Sequence, residues 1–279
     1  MDVKDKTAII TGATSGIGRV AAMHLAENGA RLVLPVRSME KGQQLKEEIM
    51  EQHDNPNVEL IECRLDSLVS IRQFAEAFRK NHDSLHLLIN NAGTWEVKRK
   101  ESEDGIEMNF AVNHLAPFLL TYLLLDIIRK SAPARIVNVS SSAHKQAKMN
   151  LEDPEGKKNW SSLKSYGQGK LANIFFTRKL ARDLEGTGVT ANCLHPGVVQ
   201  TRLFDKMPGF FRKIFGLFMI SAEKGAETTI YLATSPEVEG ISGKYFAKKK
   251  ETKTTRHAQD MEVAERLWEI SKEYCNVNE

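Results

Sequence analysis

Cysteine is scarce in this chain. Only Cys63, Cys193 and Cys275 occur, far apart and odd in number. They form neither a disulfide framework nor a thiolate metal site, so a reducing, cytoplasmic setting is expected. The eight histidines show no ligand spacing, and no metal is expected. A dominant charge is also lacking: 39 Lys and Arg stand against 36 Asp and Glu, a formal net charge of +3. So small an excess leaves no electrostatic footprint for nucleic acid. No run approaches about 20 apolar residues, so no transmembrane segment is expected. The opening Met1 to Lys6 is charged and does not read as a signal peptide. Repeats and low-complexity segments are absent.

What remains is ordinary globular composition, 41% apolar and 27% charged, enough for a substantial core. Thr7 to Thr11 is a short β-rich run. The turn Gly12-Ala-Thr14-Ser15-Gly16-Ile17-Gly18 follows, and then a helix that stops at Asn28-Gly29. Strand, glycine turn and helix together suit a pyrophosphate: amides at a helix N-terminus carry partial positive charge, and glycines admit close approach. The spacing, Gly-x-x-x-Gly-x-Gly, differs from Gly-x-Gly-x-x-Gly.

The second strand starts at Ala30 and ends at Arg37, with Pro35 expected near its exit. A carboxylate just past this strand would bind the 2′-hydroxyl of NAD, whereas arginine favours the 2′-phosphate of NADP. No Asp or Glu occurs between Arg31 and Ser38, and Lys41 lies one turn into the next helix. NADP(H) is therefore expected over NAD(H). Asp66, after the third strand, is a candidate for the adenine amino group or for capping the next helix. Asn90-Asn91-Ala92-Gly93 follows the fourth strand; Asn91, Ala92 and Gly93 are candidates to approach the ribose, with a structural role expected for Asn90. The helix within Gly105 to Lys130 is too apolar for a surface helix, so part of it is expected to meet another subunit. Asn113 within it either holds a water joined to Lys170 or satisfies a backbone group. Pro117 suggests a kink.

Ser140-Ser141-Ser142 follows the fifth strand, at the end of the sheet where such folds place ligands. The helix from Leu163 to Glu185 carries Tyr166 and Lys170, four apart and so on one face. A phenol with a pKa of about 10 is a poor acid or base near pH 7. An ammonium about 4 Å away contributes roughly 4 kcal/mol at an effective dielectric near 20, about three pKa units. The segment at about 198–221, rich in phenylalanine from Phe204 to Phe218, reads as an apolar lid over a hydrophobic substrate, with membrane-surface contact as the alternative.

Alternating strands and helices with no composition break imply one α/β domain over 1–279. The expected architecture is a Rossmann-type doubly wound parallel sheet of about seven strands, flanked by helices on both faces. The glycine turn, Asn-Asn-Ala-Gly, the post-strand serine, Tyr-x-x-x-Lys and Pro196-Gly197 occur in one order over about residues 7 to 247. Together they closely resemble the short-chain dehydrogenase/reductase family. Arg37, Phe110-Ala-Val-Asn113-His114-Leu, Val137-Asn-Val-Ser-Ser141, Ala143-His144, Lys170-Leu-Ala-Asn173 and His195-Pro-Gly-Val look most like its retinol dehydrogenase branch. Membrane-bound retinol dehydrogenases carry an N-terminal hydrophobic anchor, which is not seen in this sequence.

The resemblance implies Tyr166 as general acid/base, with Lys170 lowering its pKa and holding the ribose. Ser141, the second of the pair after the strand, would hydrogen-bond the substrate oxygen. Asn113 would hold a proton-relay water. Pro196 and Gly197 would border the nicotinamide, and Thr201 would contact its amide. The expectation is an NADP(H)-dependent oxidoreductase acting on a small hydrophobic alcohol or carbonyl, as a homodimer or homotetramer. The alternative is a cofactor-binding regulator or scaffold on the same fold.

Overall fold

The computed structural model describes residues 1–53, 55, 57–199 and 219–277. Thr201 and most of the expected lid therefore lie outside the described residues.

Chain order alternates strand and helix: β1 (Thr7–Ile10), α1 (Gly16–Glu27), β2 (Arg31–Val36), α2 (Met39–His53), β3 (Val58–Glu62), α3 (Leu68–Asn81) and β4 (Leu87–Asn90). After a loop come α4 (Met108–Lys130), β5 (Ala134–Val139), α5 (Ser162–Asp183), β6 (Val189–His195), α6 (Ala222–Thr234), β7 (Tyr245–Ala247), β8 (Lys250–Glu251) and α7 (Met261–Cys275). The strands form one sheet in the order β3-β2-β1-β4-β5-β6-β7-β8. All pairs are parallel except the last. The expected count of about seven thus gains a two-residue antiparallel edge strand.

The strands read as continuous apolar runs because both faces are covered. Ile9, Val33, Leu88 and Ile136 pack on one side with α3, α4, α5 and α7. Their neighbours Ala8, Ile10, Leu32, Leu34, Leu87, Ile89 and Val137 pack on the other with α1, α2 and α6. The order reverses between β1 and β4, and the C-terminal ends of those strands open a crevice there.

Pro35 lies inside β2 rather than beyond it. The hydrogen-bond alternation explains why it is tolerated. Arg31 N–H points toward β1, to Lys6, whereas Leu32 N–H points toward β3, to Asn57. Pro35 follows Arg31 and Val33 in that alternation, so its nitrogen faces the carbonyl of Ile10, the last residue of β1. The missing donor therefore costs only the final rung on that side, where the β1–β2 pairing ends.

Helix α4 is long and apolar enough to cross a membrane by length and composition, contrary to the expectation from run lengths, yet it is a core helix. Leu115, Phe118, Leu119, Leu120 and Leu124 are completely buried. Much of its apolar surface is covered within the chain: α3 packs along it, and Trp268 of α7 meets Phe118 edge-on at 5.0 Å and stacks on Phe176 of α5 at 5.9 Å, while Tyr122, Leu123, Leu125 and Ile127 are half-buried. The expected irregularity at Pro117 is a π-helical stretch, Ala111–Leu115, just ahead of it. Pro117 cannot donate to the carbonyl of Asn113 four residues back, and the helix widens before it.

Candidate active site

Three glycines shape the turn after β1. Gly12 and Gly16 have φ of +69° and +53°, a region costly for other residues. Gly18 is needed for proximity: a Cβ there would lie 2.3 Å from the Gly12 carbonyl oxygen and 2.5 Å from Asn91 Nδ2. Thr14 and Ser15 are half-buried, and Ser15, at the N-cap of α1, makes no side-chain capping bond. The first amides of α1, around Gly16, Ile17 and Gly18, therefore keep their donors for an external acceptor.

Asn91 does more than approach a ribose. Its Nδ2 donates to the Thr11 carbonyl at 2.9 Å, binding the end of β4 to the glycine turn. Thr11 was not singled out from the sequence, yet its Oγ1 accepts from the amides of Asn91 and Ala92, both at 3.0 Å. Those amides leave the strand ladder, and asking what satisfies them points to a nearby hydroxyl. Asn90 has the structural role expected: it is buried and donates to Thr121 and Asn138.

Arg37 follows β2 directly and is exposed, as is Lys41. Asp66 follows β3 and pairs with Arg64 at 3.4 Å. It does not cap α3. Ser67 takes that place, accepting from the Ser70 amide, and Asp104 accepts from the Leu68 amide at 2.9 Å. The shorter serine side chain at the N-cap position reaches the amide that Asp66, one residue earlier, does not.

At the ends of β4 and β5 four predicted residues converge. The three serines after β5 separate by geometry. Ser140 is buried and donates to the Lys170 carbonyl at 2.6 Å, so its hydroxyl is committed to structure. Ser142 is exposed in the following 3-10 turn. Ser141 accepts from the Ala143 amide at 3.2 Å and lies near enough to the Tyr166 phenol to lower its pKa. His144 was quoted only for its resemblance, but its Nδ1–H donates to the Ser141 carbonyl at 2.7 Å and braces this turn.

Lys170 departs from expectation. Its Nζ donates to the Val139 carbonyl at 3.0 Å and lies 6.0 Å from the Tyr166 ring centroid. Helical spacing brings ammonium and ring side by side, but the ammonium reaches for the end of β5. Burial pushes the Tyr166 phenol above its ordinary value, partly opposed by the neighbouring Ser141 side chain. Burial also pushes Lys170 down, to about 8. The expected lysine-driven acidification of Tyr166 is therefore absent from this arrangement.

Asn113 resolves toward the backbone alternative. Its Oδ1 accepts from the Thr94 amide and its Nδ2 donates to the Thr94 carbonyl, both at 2.8 Å. The side chain clamps the loop after β4. Gly93 fits the space beneath: a Cβ there would lie 2.8 Å from Asn113 Oδ1 and 3.0 Å from Lys170 Nζ.

Pro196 and Gly197 leave β6 half-buried, with Gly197 at φ +99°. A Cβ on Gly197 would meet Ile220 Cδ1 at 2.6 Å. Val199 and Ile220 are bridged, and with Ile17 and Ala226 they make a small apolar cluster against the start of α1. The Pro-Gly turn and the glycine turn thus border the same crevice.

These features fit a dinucleotide: free amides beside glycines that tolerate no Cβ, and a serine, tyrosine and lysine beyond them. A doubly wound sheet with this set at its switch point defines a nicotinamide-dependent oxidoreductase scaffold. Comparison with known proteins gives the family. The sequence model described as "short chain dehydrogenase" matches residues 6–208. Mouse retinol dehydrogenase 12 is 41% identical over 279 residues, covering 99% of this chain and 88% of that protein. Human retinol dehydrogenase 14 is 43% identical, covering 96% and 85%. A crystal structure of a protein from Mycobacterium paratuberculosis superposes with a TM-score of 0.81 at 31% identity, covering 99% of this chain and 97% of that one. The chain belongs to the short-chain dehydrogenase family, whose members bind nicotinamide cofactors and act on alcohols and carbonyls.

Proposed function

We propose that the protein is an NADP(H)-dependent oxidoreductase acting on hydrophobic alcohols and their carbonyl counterparts, of the retinol/retinal kind or aliphatic and aromatic analogues. The observation that carries this reading is the placement of Ser141 beside the Tyr166 phenol, close enough to lower its pKa, at the C-terminal end of the sheet. Two adjacent hydroxyls can share one substrate oxygen. In the reducing direction Ser141 donates to that oxygen and Tyr166 gives up its phenolic proton as negative charge develops there. In the oxidising direction Tyr166 takes the alcohol proton while Ser141 holds the oxygen in place. Lys170 would bind the ribose hydroxyls. Asn113 holds the Thr94 loop that borders this space. When bound, the nicotinamide supplies or accepts the hydride.

The NADP preference rests on Arg37 and Lys41, both exposed past the end of β2, and on the absence of a carboxylate between Arg31 and Ser38. The hydrophobic substrate class rests on the relatives named retinol dehydrogenases and on the phenylalanines of residues 204–218. Buried free thiols at Cys63, Cys193 and Cys275 suit a reducing compartment, and we place the protein in the cytoplasm. The test is turnover of retinal, aliphatic and aromatic aldehydes and ketones with NADPH and with NADH. Turnover of apolar carbonyls with NADPH preferred supports the reading. Cofactor binding without turnover of any of them favours a regulator or scaffold instead.

A further inference from the structure

Beyond Gly93 the chain runs through Thr94, Trp95, Glu96 and Val97, and side chains tie this stretch down at each step. Asn113 holds both backbone groups of Thr94. The Glu96 amide donates to Asn109 Oδ1 at 3.1 Å. The Trp95 indole Nε1–H donates to Ser162 Oγ at 2.7 Å, and that hydroxyl donates to the Glu96 carbonyl at 2.6 Å. Ser162 begins α5, and Tyr166 lies four residues on, on the same helix face. The anchored indole consequently stacks on the Tyr166 ring, with centroids 5.4 Å apart and planes 29° apart.

An indole costs little to immobilise for its area, and its hydrogen-bonded edge fixes its orientation. Two large apolar side chains flank the same junction in the open. Val97, two residues past Trp95, is 41% exposed, and Leu163, next to Ser162, is 66% exposed. Val97 sits on the loop that carries the indole, and Leu163 on the first turn of the helix that carries the reactive ring. Packing against the core explains neither of these exposed side chains.

We propose that Trp95 is a positioning and specificity residue: it holds the Tyr166 ring in place, and its indole, continued by Val97 and Leu163, is the wall along which an extended apolar substrate tail lies. The inference rests on the oxidoreductase reading of this site. It commits to a long alkyl or polyene chain rather than a compact ring or a polar polyol. The wall also keeps water from one face of the phenol, so its loss affects the proton step as well as substrate binding.

The test compares reduction of butanal and decanal by NADPH in the wild type and in W95A, W95F, V97S and L163S. The wild type prefers decanal. W95A lowers the decanal-to-butanal ratio of kcat/KM by about tenfold and moves the alkaline limb of the pH profile downward. W95F keeps the stacked ring and leaves that limb in place, a rescue that a merely structural tryptophan has no reason to show. V97S and L163S change exposed side chains, so they report even if W95A fails to fold. Each raises KM for decanal about threefold and leaves butanal unchanged. Decanal-to-butanal ratios unchanged in V97S and L163S, with wild-type turnover intact, overturn this inference alone. A wild type that turns over neither aldehyde overturns the oxidoreductase reading and this inference with it.

Discussion

Ser141 lies beside the Tyr166 phenol and lowers its pKa, whereas Lys170 has its ammonium 6.0 Å from the ring centroid and bonds to Val139. The proton-carrying and charge-carrying partners of the phenol are therefore separate groups with separate tests.

Tyr166→Phe keeps the ring, its stack on Trp95 and its place above Lys170, and removes only the transferable proton. Turnover falls by at least about 1,000-fold, in the upper range for general acid–base catalysis. Ser141→Ala removes one donor to the substrate oxygen and costs roughly 100-fold. Steady-state kinetics measure both losses, and calorimetric titration with NADPH shows affinity preserved in each. Loss of cofactor affinity parallel to the loss of turnover would place these hydroxyls in binding rather than in proton transfer.

Burial raises the Tyr166 pKa, so the phenol is protonated through neutral pH. That is the form needed to protonate a carbonyl. Carbonyl reduction is thus flat across neutral pH and falls only under alkaline conditions, whereas alcohol oxidation, which needs the phenolate, rises with pH. Lys170 loses its proton near pH 8 in the free protein. Cofactor affinity weakens above that pH if the ammonium binds the ribose. Lys170→Met removes this pH dependence of affinity. Rate profiles in both directions and cofactor titrations from pH 6 to 10, a range set by ordinary side-chain pKa values of about 6.5 to 10.4, check these signs.

Arg37 is exposed at the end of β2, next to the crevice where the sheet order reverses. A charge-assisted bond to a 2′-phosphate is worth about 1.5–3 kcal/mol. Arg37→Glu should therefore lower kcat/KM with NADPH by about 10- to 100-fold and raise it with NADH, since the new carboxylate can accept from a 2′-hydroxyl. Equal losses with both cofactors would show that Arg37 does not read the 2′ position.

How much of this could be read from residue order differs by feature. The sheet was legible because both of its faces are covered, which makes every central strand a short apolar run between turn residues. The positions of Gly12, Gly18, Ser141, Tyr166 and Lys170 were legible because each depends on local spacing within one turn or helix. The bonds those side chains make were not. Whether Lys170 meets the phenol or the Val139 carbonyl depends on where β5 ends beneath α5, a long-range relation. Asn113 shows the same limit: its clamp on Thr94 spans 19 residues of chain. Thr11 and Trp95 escaped notice because each acts through a partner on a distant element.

His114 gives the last expected outcome. Its ring is buried in α4, with Nε2–H donating to Ser271 of α7 at 2.8 Å and Nδ1 without a partner among the described residues. Burial pushes its pKa down to about 3. An unfolded histidine titrates near 6.5, so below that pH the unfolded chain takes up a proton that the folded chain refuses. His114 therefore contributes its full stability above about pH 6.5 and loses about 1.4 kcal/mol per unit as pH falls from there toward 3. His195, held at about 4 by burial, adds a loss of the same sign. Urea midpoints should decline steadily from about pH 6.5 to 5. His114→Gln replaces the titrating ring with an amide able to donate to Ser271, so its decline should be shallower by about one proton's worth. Parallel slopes in the two proteins would mean that His114 protonates without unfolding, with α7 lifting from the π-helical stretch to admit water.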